Sequence, residues 1–384
     1  MKNLIYLFPL VMDIVVSGVL FIAAYRFSDA NVAAWMVGST MAVWALIYTG
    51  LAFAAGYIIK PEKSHYYLIG SSIGIALVSL GMVLFDGLYT LFLWLILTGS
   101  CGALFFTPFQ MYMKRFVADN RAGIVRSTAL YTGSWSLGFA VGPLLFGLVS
   151  AKCAFLCCFA AGLIMALAFI ILEKIPRKAI AAAPSQESVS AAVDYSRYPD
   201  MVKMGYLVGG MGCLVIALIR TMGPFRGVQA LNFSKDQMGI IMCLVSFAQC
   251  FMGYALFFSR DWMYKKVNGA LLNVLGIAAL LGFACFTSFT GFLISALLFG
   301  LYAGCFYFFF VFHSLVHPTK SHRYVAGNET IVGATGIVGP LLGGAFITPA
   351  SSHWIFVAGA ALVLIALVLQ QVMLVRAGIT HAKN

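Results

Sequence analysis

Long apolar stretches alternate with short polar breaks along almost the whole chain. The stretches fall at roughly 4–26, 33–59, 66–85, 88–113, 127–150, 153–173, 203–222, 236–258, 267–288, 291–313, 324–347 and 353–375. Each approaches or exceeds the roughly 20 residues that a helix needs to cross the hydrocarbon of a bilayer. In lipid every backbone N–H and C=O must be satisfied within the segment, which predicts helices rather than isolated strands. The pattern therefore predicts an all-α membrane protein with twelve transmembrane helices. The shortest breaks are Phe85–Leu88 and Ser288–Gly291.

Composition agrees with that solvent. Apolar residues make up 62% of the chain and charged residues 9%, against about 25% charged in soluble domains. The net charge of +12 comes from basic residues scattered over many short connections. Their placement predicts orientation rather than a nucleic-acid partner. With the amino terminus in the cytoplasm, 19 Lys and Arg fall on cytoplasmic segments and 5 outside. The outer five are Arg26, Lys152, Arg220, Arg226 and Lys235. That imbalance predicts both termini inside a cytoplasmic (inner) membrane. The nine cysteines form no CxxC pair or Cys/His ligand spacing, so small apolar helix residues are expected, with no metal.

Residues 173–201 form the one long polar connection, with Pro176, Pro184 and a small-residue run at 179–183. They predict a flexible cytoplasmic linker. The expected organisation is an N-terminal six-helix bundle over 1–173, a linker over 174–202 and a C-terminal six-helix bundle over 203–384. An internal repeat supports it. Gly56-Tyr57 recurs as Gly253-Tyr254, Gly142-Pro143-Leu144-Leu145 as Gly339-Pro340-Leu341-Leu342, and Arg126 as Arg323, all 197 residues apart. Parallel halves of this kind place a solute site at their interface, near the middle of the bilayer.

Gly133-Ser134-Trp135-Ser136-Leu137-Gly138-Phe139-Ala140-Val141-Gly142-Pro143-Leu144-Leu145-Phe146-Gly147 resembles the fifth-helix motif of the major facilitator superfamily. That motif is a Gly, eight residues, then Gly-Pro-x-x-Gly-Gly. Phe146 stands in place of the first closing Gly, whereas the eleventh span keeps the block as Gly339-Pro340-Leu341-Leu342-Gly343-Gly344. The loop from Gly56 to His65 resembles the family's inner-loop signature in its Gly and in Lys60 and Lys63, but lacks the Asp and second Gly. The second half keeps Arg260-Asp261. The resemblance covers the whole chain and implies the superfamily fold of two six-helix pseudo-repeats. It implies a secondary active transporter that works by alternating access. The fifth-helix motif is commoner in antiport-type exporters, so proton-coupled efflux of an amphipathic compound is expected. Uptake of a small organic solute, or a transport-inactive sensor with the same fold, is the alternative. The implied partners are a small-molecule solute, the lipid bilayer and protons as coupling ion, on a monomer without cofactor and without enzyme activity.

The candidate residues follow from chemistry and place. Gly133, Gly138, Gly142, Gly147, Gly339, Gly343 and Gly344 remove side chains so that helices approach, and Pro143 and Pro340 allow kinks. Asp13 lies mid-span in the first helix, where a carboxylate costs roughly 2.5–3.5 kcal/mol on insertion scales and so faces protein or water. In the family the first, fourth, seventh and tenth helices line the cavity, which implies that Asp13 couples protons or recognises a cation. Glu329 is expected to gate with Arg126 or Arg323, to titrate, or to reach the surface. Arg220, Arg26 and Arg226 form either a basic outer vestibule or interfacial anchors. Phe105, Phe109 and Gln110 on the fourth helix, and Tyr302, Phe306 and Phe309 at i, i+4, i+7 on the tenth, are the candidate cavity wall, with the remaining tenth-helix aromatics facing lipid. Arg126, Arg323, Arg260 and Asp261 are gate candidates. His313, His317 and His322 suit pH sensing better than metal binding, because Pro318 interrupts their helix.

Overall fold

The computed structural model describes residues 2–113, 121–174, 200–257, 266–316 and 321–377, less the side chains of 2–3, 61, 121–126, 128, 257, 266–267, 315–316, 321–323 and 325–326. The expected linker, Arg260 and Asp261 lie outside the described residues. Twelve long helices are present among those described. They are α1 (Leu7–Asp29), α2 (Ala34–Ile58), α3 (Ser64–Leu84), α4 (Thr90–Met113), α5 (Arg121–Leu148) and α6 (Ala151–Lys174), then α7 (Val202–Phe225), α8 (Lys235–Phe257), α9 (Lys266–Cys285), α10 (Phe289–Val316), α11 (Ser321–Ala345) and α12 (Trp354–Arg376). Every one overlaps an apolar run read from the sequence.

Ten of these helices are long and apolar enough to cross a membrane; α5 and α11 are not among the ten. The reason is visible in their composition. Both are rich in Gly, Ser and Thr and carry charges at one end. They also pack chiefly on protein: α5 lies between α1 and α8, and α11 between α2 and α7. A helix flanked by other helices needs small residues for close approach more than it needs an oily surface. The protein is thus a multi-pass membrane protein whose seam helices are its least apolar ones.

Hydroxyls inside the helices return their protons to the preceding turn. Ser17 donates to Asp13 O at 2.6 Å, Ser72 to Leu68 O at 2.6 Å and Thr221 to Ala217 O at 2.9 Å. This satisfies polar groups that lipid could not. α1 ends with Asn31 at φ 54°, its N–H bonded to Ser28 O at 3.1 Å. Asn232, after α7, adopts φ 55°. Asparagine tolerates this left-handed conformation better than most side chains. One π-helical turn, Arg226–Ala230, precedes that second cap.

The first six helices meet the last six along two lines, α2 against α11 and α5 against α8. At the end of the molecule where α2, α8 and α12 begin, here called the far end, both lines bring backbone onto backbone. A methyl group on Gly239 would fall 2.6 Å from Pro143 O, and one on Gly147 would fall 2.9 Å from the Gly239 Cα. One on Gly344 would fall 2.6 Å from Ala34 O, and Gly38 meets Pro340 O closely. Gln229 donates to Ser28 O at 3.0 Å and Val32 O at 3.1 Å, and Lys235 Nζ to Val149 O at 3.0 Å. The far end is therefore shut by backbone laid on backbone, held by side chains reaching across.

Candidate functional site

Glycines of α5 decide where α1 lies, and α1 carries the buried carboxylate. A methyl on Gly138 would sit 2.7 Å from Asp13 Cβ and 2.5 Å from Leu10 O; one on Gly142 would sit 2.6 Å from Ile14 O and strike Ser17 Oγ. Only bare backbone lets the two helices come this close. The contact leaves Asp13 only 3% exposed. Ser17 Oγ also points at Gly138 O, at 3.3 Å.

Arg220, from the other half of the chain, comes within electrostatic range of Asp13 without forming an ion pair. Its guanidinium carbon lies 4.1 Å from the centroid of the Phe139 ring on α5, a cation–π arrangement. Its Nη2 is buried and has no hydrogen-bond partner. One helical turn along α5, Trp135 meets Tyr307 of α10 edge-on at 5.5 Å. Tyr307 in turn faces Arg220 and Cys213.

A second group gathers around Glu329 on α11. Gln110 of α4 lies near its carboxylate and donates to Tyr131 OH of α5 at 3.3 Å. Tyr131 lies parallel to Phe109 at 6.0 Å, and Tyr48 of α2 stacks on Trp44 at 5.0 Å. Both tyrosines lie in the fields of Glu329 and Asp13. Charges from α1, α7 and α11 thus share one region between the halves, walled by aromatic side chains from α2, α5 and α10.

Against this region lies a cavity of ≈ 30 Å³, lined by Ser17, Leu20, Phe21, Thr40, Met41, Phe139, Pro143, Arg220, Thr221, Met242, Val245 and Ser246. About 10–15 Å³ accommodates one water, so a space of this size takes water and no larger solute. Its lining comes from α1, α2, α5, α7 and α8, which places it on the seam.

Several candidate residues lie elsewhere. Tyr302, Phe306 and Phe309 do share a face of α10, as their spacing predicts, but that face turns into the last six helices. They line a ≈ 20 Å³ cavity with Val208, Asn273 and Gln370. Phe306 fills the notch at Gly212, and Tyr302 packs on Gly276. The other α10 aromatics expected in lipid include Phe310, buried on Gly209 of α7, and Tyr307, which faces the seam. Phe105 and Phe109 stack on each other at 5.6 Å, and Phe105 also meets Phe169 of α6, inside the first six helices.

The three arginines expected to share a vestibule each have separate surroundings. Arg26 pairs with Asp86 at the surface. Arg226 is buried and caps α9, donating to Phe283 O at 3.2 Å, Ala284 O at 3.0 Å and Ser352 Oγ at 3.3 Å. Such a cation at carbonyls ending a helix is favourable. Arg220 alone faces the seam. Arg126 and Arg323 belong to α5 and α11, but their side chains lie outside the described residues. His313 packs against Phe309 and Phe312; His317 and the His322 side chain also lie outside the described residues. Gly343 meets Leu218 of α7, and Gly339 meets Leu214 O, so the second motif packs α11 on α7.

Sequence reasoning missed Trp135, Phe139, Tyr131, Tyr48 and Tyr307. A usable signal existed for three of them. Tyr131, Trp135 and Phe139 recur every four residues along the helix whose glycines were recognised, on one face of it. Nothing local distinguished Tyr307 from its aromatic neighbours.

The chain matches the family model described as Major Facilitator Superfamily over residues 4–326. A search of curated proteins found no match. Among solved structures, a bacterial homologue of the human lysosomal transporter Spinster, in an inward-facing and occupied conformation, superposes with a TM-score of 0.66. It shares 13% identity, over 98% of this chain and 96% of that one. Two crystal structures of the nucleoside transporter NupG superpose with TM-scores of 0.67 and 0.66 at 12% and 13% identity, over 97% of this chain and 100% and 98% of those. At such identities the likeness is one of fold. With a family model spanning most of its length, this chain belongs to the Major Facilitator Superfamily of membrane transporters.

Proposed function

We propose that the protein is a proton-coupled secondary transporter that exports a small amphipathic solute by alternating access. In this reading residues 1–173 and 203–384 are two six-helix bundles joined by a cytoplasmic linker. The far end faces outside and is closed, and both termini lie in the cytoplasm. Asp13 carries the proton, Arg220 and the aromatic wall hold the solute, and Glu329 with Gln110 lies toward the cytoplasmic side of the path.

The observation that carries the reading is the unpaired Asp13 and Arg220, on opposite sides of the seam, beside a cavity between the halves. Charges at this depth are costly and tend to mark ion and substrate pathways. A carboxylate without a fixed partner is free to load and release a proton as its surroundings alternate between dry and wet. The fifth-helix motif, at a line of contact that must loosen when the far end opens, supports the exporter subtype.

The test uses proteoliposomes holding a pH-sensitive dye, offered amphipathic cations, neutral compounds and carboxylates one at a time. At least one compound should dissipate an imposed proton gradient with the natural chain and not with Asp13→Asn. Undiminished proton movement in Asp13→Asn would reject the coupling role. Failure of every compound to cross or to move protons would reject transport itself.

A further inference from the structure

Arg220 presents an unusual imbalance of charge and partners. It makes no hydrogen bond and no ion pair among the described residues, and its Nη2 is buried without an acceptor. A guanidinium offers five N–H donors in a planar fork. Here its described contact is the face of Phe139, which attracts the charge but accepts no in-plane hydrogen bond. Leaving such donors unmet is costly unless something else meets them.

The cavity beside it is built on the same logic. Arg220 is the one charged residue among those that line it. Three of the four hydroxyls there already donate within their own helices: Ser17 to Asp13 O, Thr40 to Val37 O at 2.7 Å, and Thr221 to Ala217 O. They can accept hydrogen bonds but have no proton left to give. Ser246 is buried, and among the described residues no hydrogen bond engages its hydroxyl. The rest of the wall is apolar: Leu20, Phe21, Met41, Met242 and Val245. One forked cation, one free hydroxyl and an apolar wall suit a small organic acid with its carboxylate on Arg220 and Ser246 and its hydrocarbon against the methionines.

We infer that Arg220 and Ser246 form the anchor for the carboxylate of a small amphipathic organic anion bound at the seam. This rests on the transport reading for the function of the site, not for its chemistry. In the shut form the cavity has room for no more than water, so the anion enters when the two halves part. Planar bidentate pairing of guanidinium with carboxylate gives the site its preference over neutral head groups.

Binding is measured on the purified full-length protein in detergent, by thermal shift and by quenching of tryptophan emission. The probes are hexanoate, hexanol and hexylamine, which share one tail and differ in head-group charge. Hexanoate should raise the melting temperature and saturate; hexanol and hexylamine should not. Arg220→Gln should weaken hexanoate binding by about tenfold or more, and Ser246→Ala by less, as expected for a charge-assisted against a neutral hydrogen bond. Arg220→Lys should retain a part of the affinity, because it keeps the charge and loses the fork. Equal binding of all three probes, absence of hexanoate binding to the natural chain, or full affinity in Arg220→Gln would each overturn the inference. The three-probe comparison needs no variant, so it decides even if Arg220→Gln fails to fold. Saturable hexanoate binding, with none of the compounds offered to vesicles crossing or moving protons, would leave the anion site standing and reject the transport reading alone.

Discussion

At the scale of single residues, buried polarity in this protein sorts into groups with partners and groups without. The Asn273 Nδ2 and Gln370 Oε1 atoms belong to the first kind, while Asn273 Oδ1 is buried without a partner. Asn273 Nδ2 donates to Gln370 Oε1 at 2.6 Å and to Gly269 O at 2.9 Å, tying α9 to α12. Gln370→Ala should destabilise the protein by about 1 kcal/mol, the usual size of an interhelical hydrogen bond in membranes. Adding Asn273→Ala should cost less than the sum of the two single changes, because the second removal leaves no new unpaired amide. Thermal unfolding of the single and double variants checks this; strict additivity would show that the pair contributes nothing jointly. Arg220 belongs to the second kind, and so does Tyr302 OH, buried without a partner beside the smaller cavity. Which kind a residue is was hidden in the chain. Arg26, Arg220 and Arg226 occur in similar positions at the ends of apolar runs, yet one takes an exposed partner, one faces the seam and one closes a helix end. Partner choice depends on residues distant in the chain, such as Asp86 for Arg26 and Ser352 for Arg226.

At the scale of elements, the glycines were the most legible feature. Their spacing on α5 predicted close packing, and the structure shows what approaches: the α1 backbone at Gly138 and Gly142, and the α8 backbone at Gly147. Gly142→Val should therefore cost about 1–3 kcal/mol through overpacking, and it should move Asp13. Gly50→Ala provides the contrast. A methyl there meets nothing within 4 Å, and replacing a helical glycine with alanine gains roughly 0.5–1 kcal/mol. Purified yield and melting temperature should fall for the first change and hold or rise for the second. A tolerated Gly142→Val would show that α1 and α5 are less tightly joined than their geometry indicates. The faces of α10 were less legible. The chain of aromatics there has no polar break, so helical periodicity identifies groups of residues that share a face without saying what that face meets. The i, i+4, i+7 set was real, but it pointed at Gly212 and Gly276 rather than at the seam.

At the scale of the whole molecule, the apolar runs carried the helices, each of which overlaps one of them. The length of each run sets a helix, and lipid removes the alternatives. The two Asn turns show a related correspondence, since Asn31 follows the first helix and Asn232 the seventh. The π-helical turn after α7 has no counterpart among the helical turns that end α1. What the chain could not reveal was the state of the seam, because contact between halves depends on three-dimensional closure rather than on local pattern. The far end is closed by glycine on backbone and by Gln229 and Lys235 reaching across. Alternating access requires those contacts to break while the opposite end closes.

The most direct test is a pair of distances measured by spin labels in lipid. One pair spans the far end, at Gly87 and Thr287; the other spans the opposite end, at Glu62 and Ala377, all four being exposed positions. Measured at acid and neutral pH, with and without hexanoate, the two distances should each show two populations that change in opposite senses. Distances that stay fixed under every condition, or that lengthen together, would contradict a transporter whose halves rock about this seam.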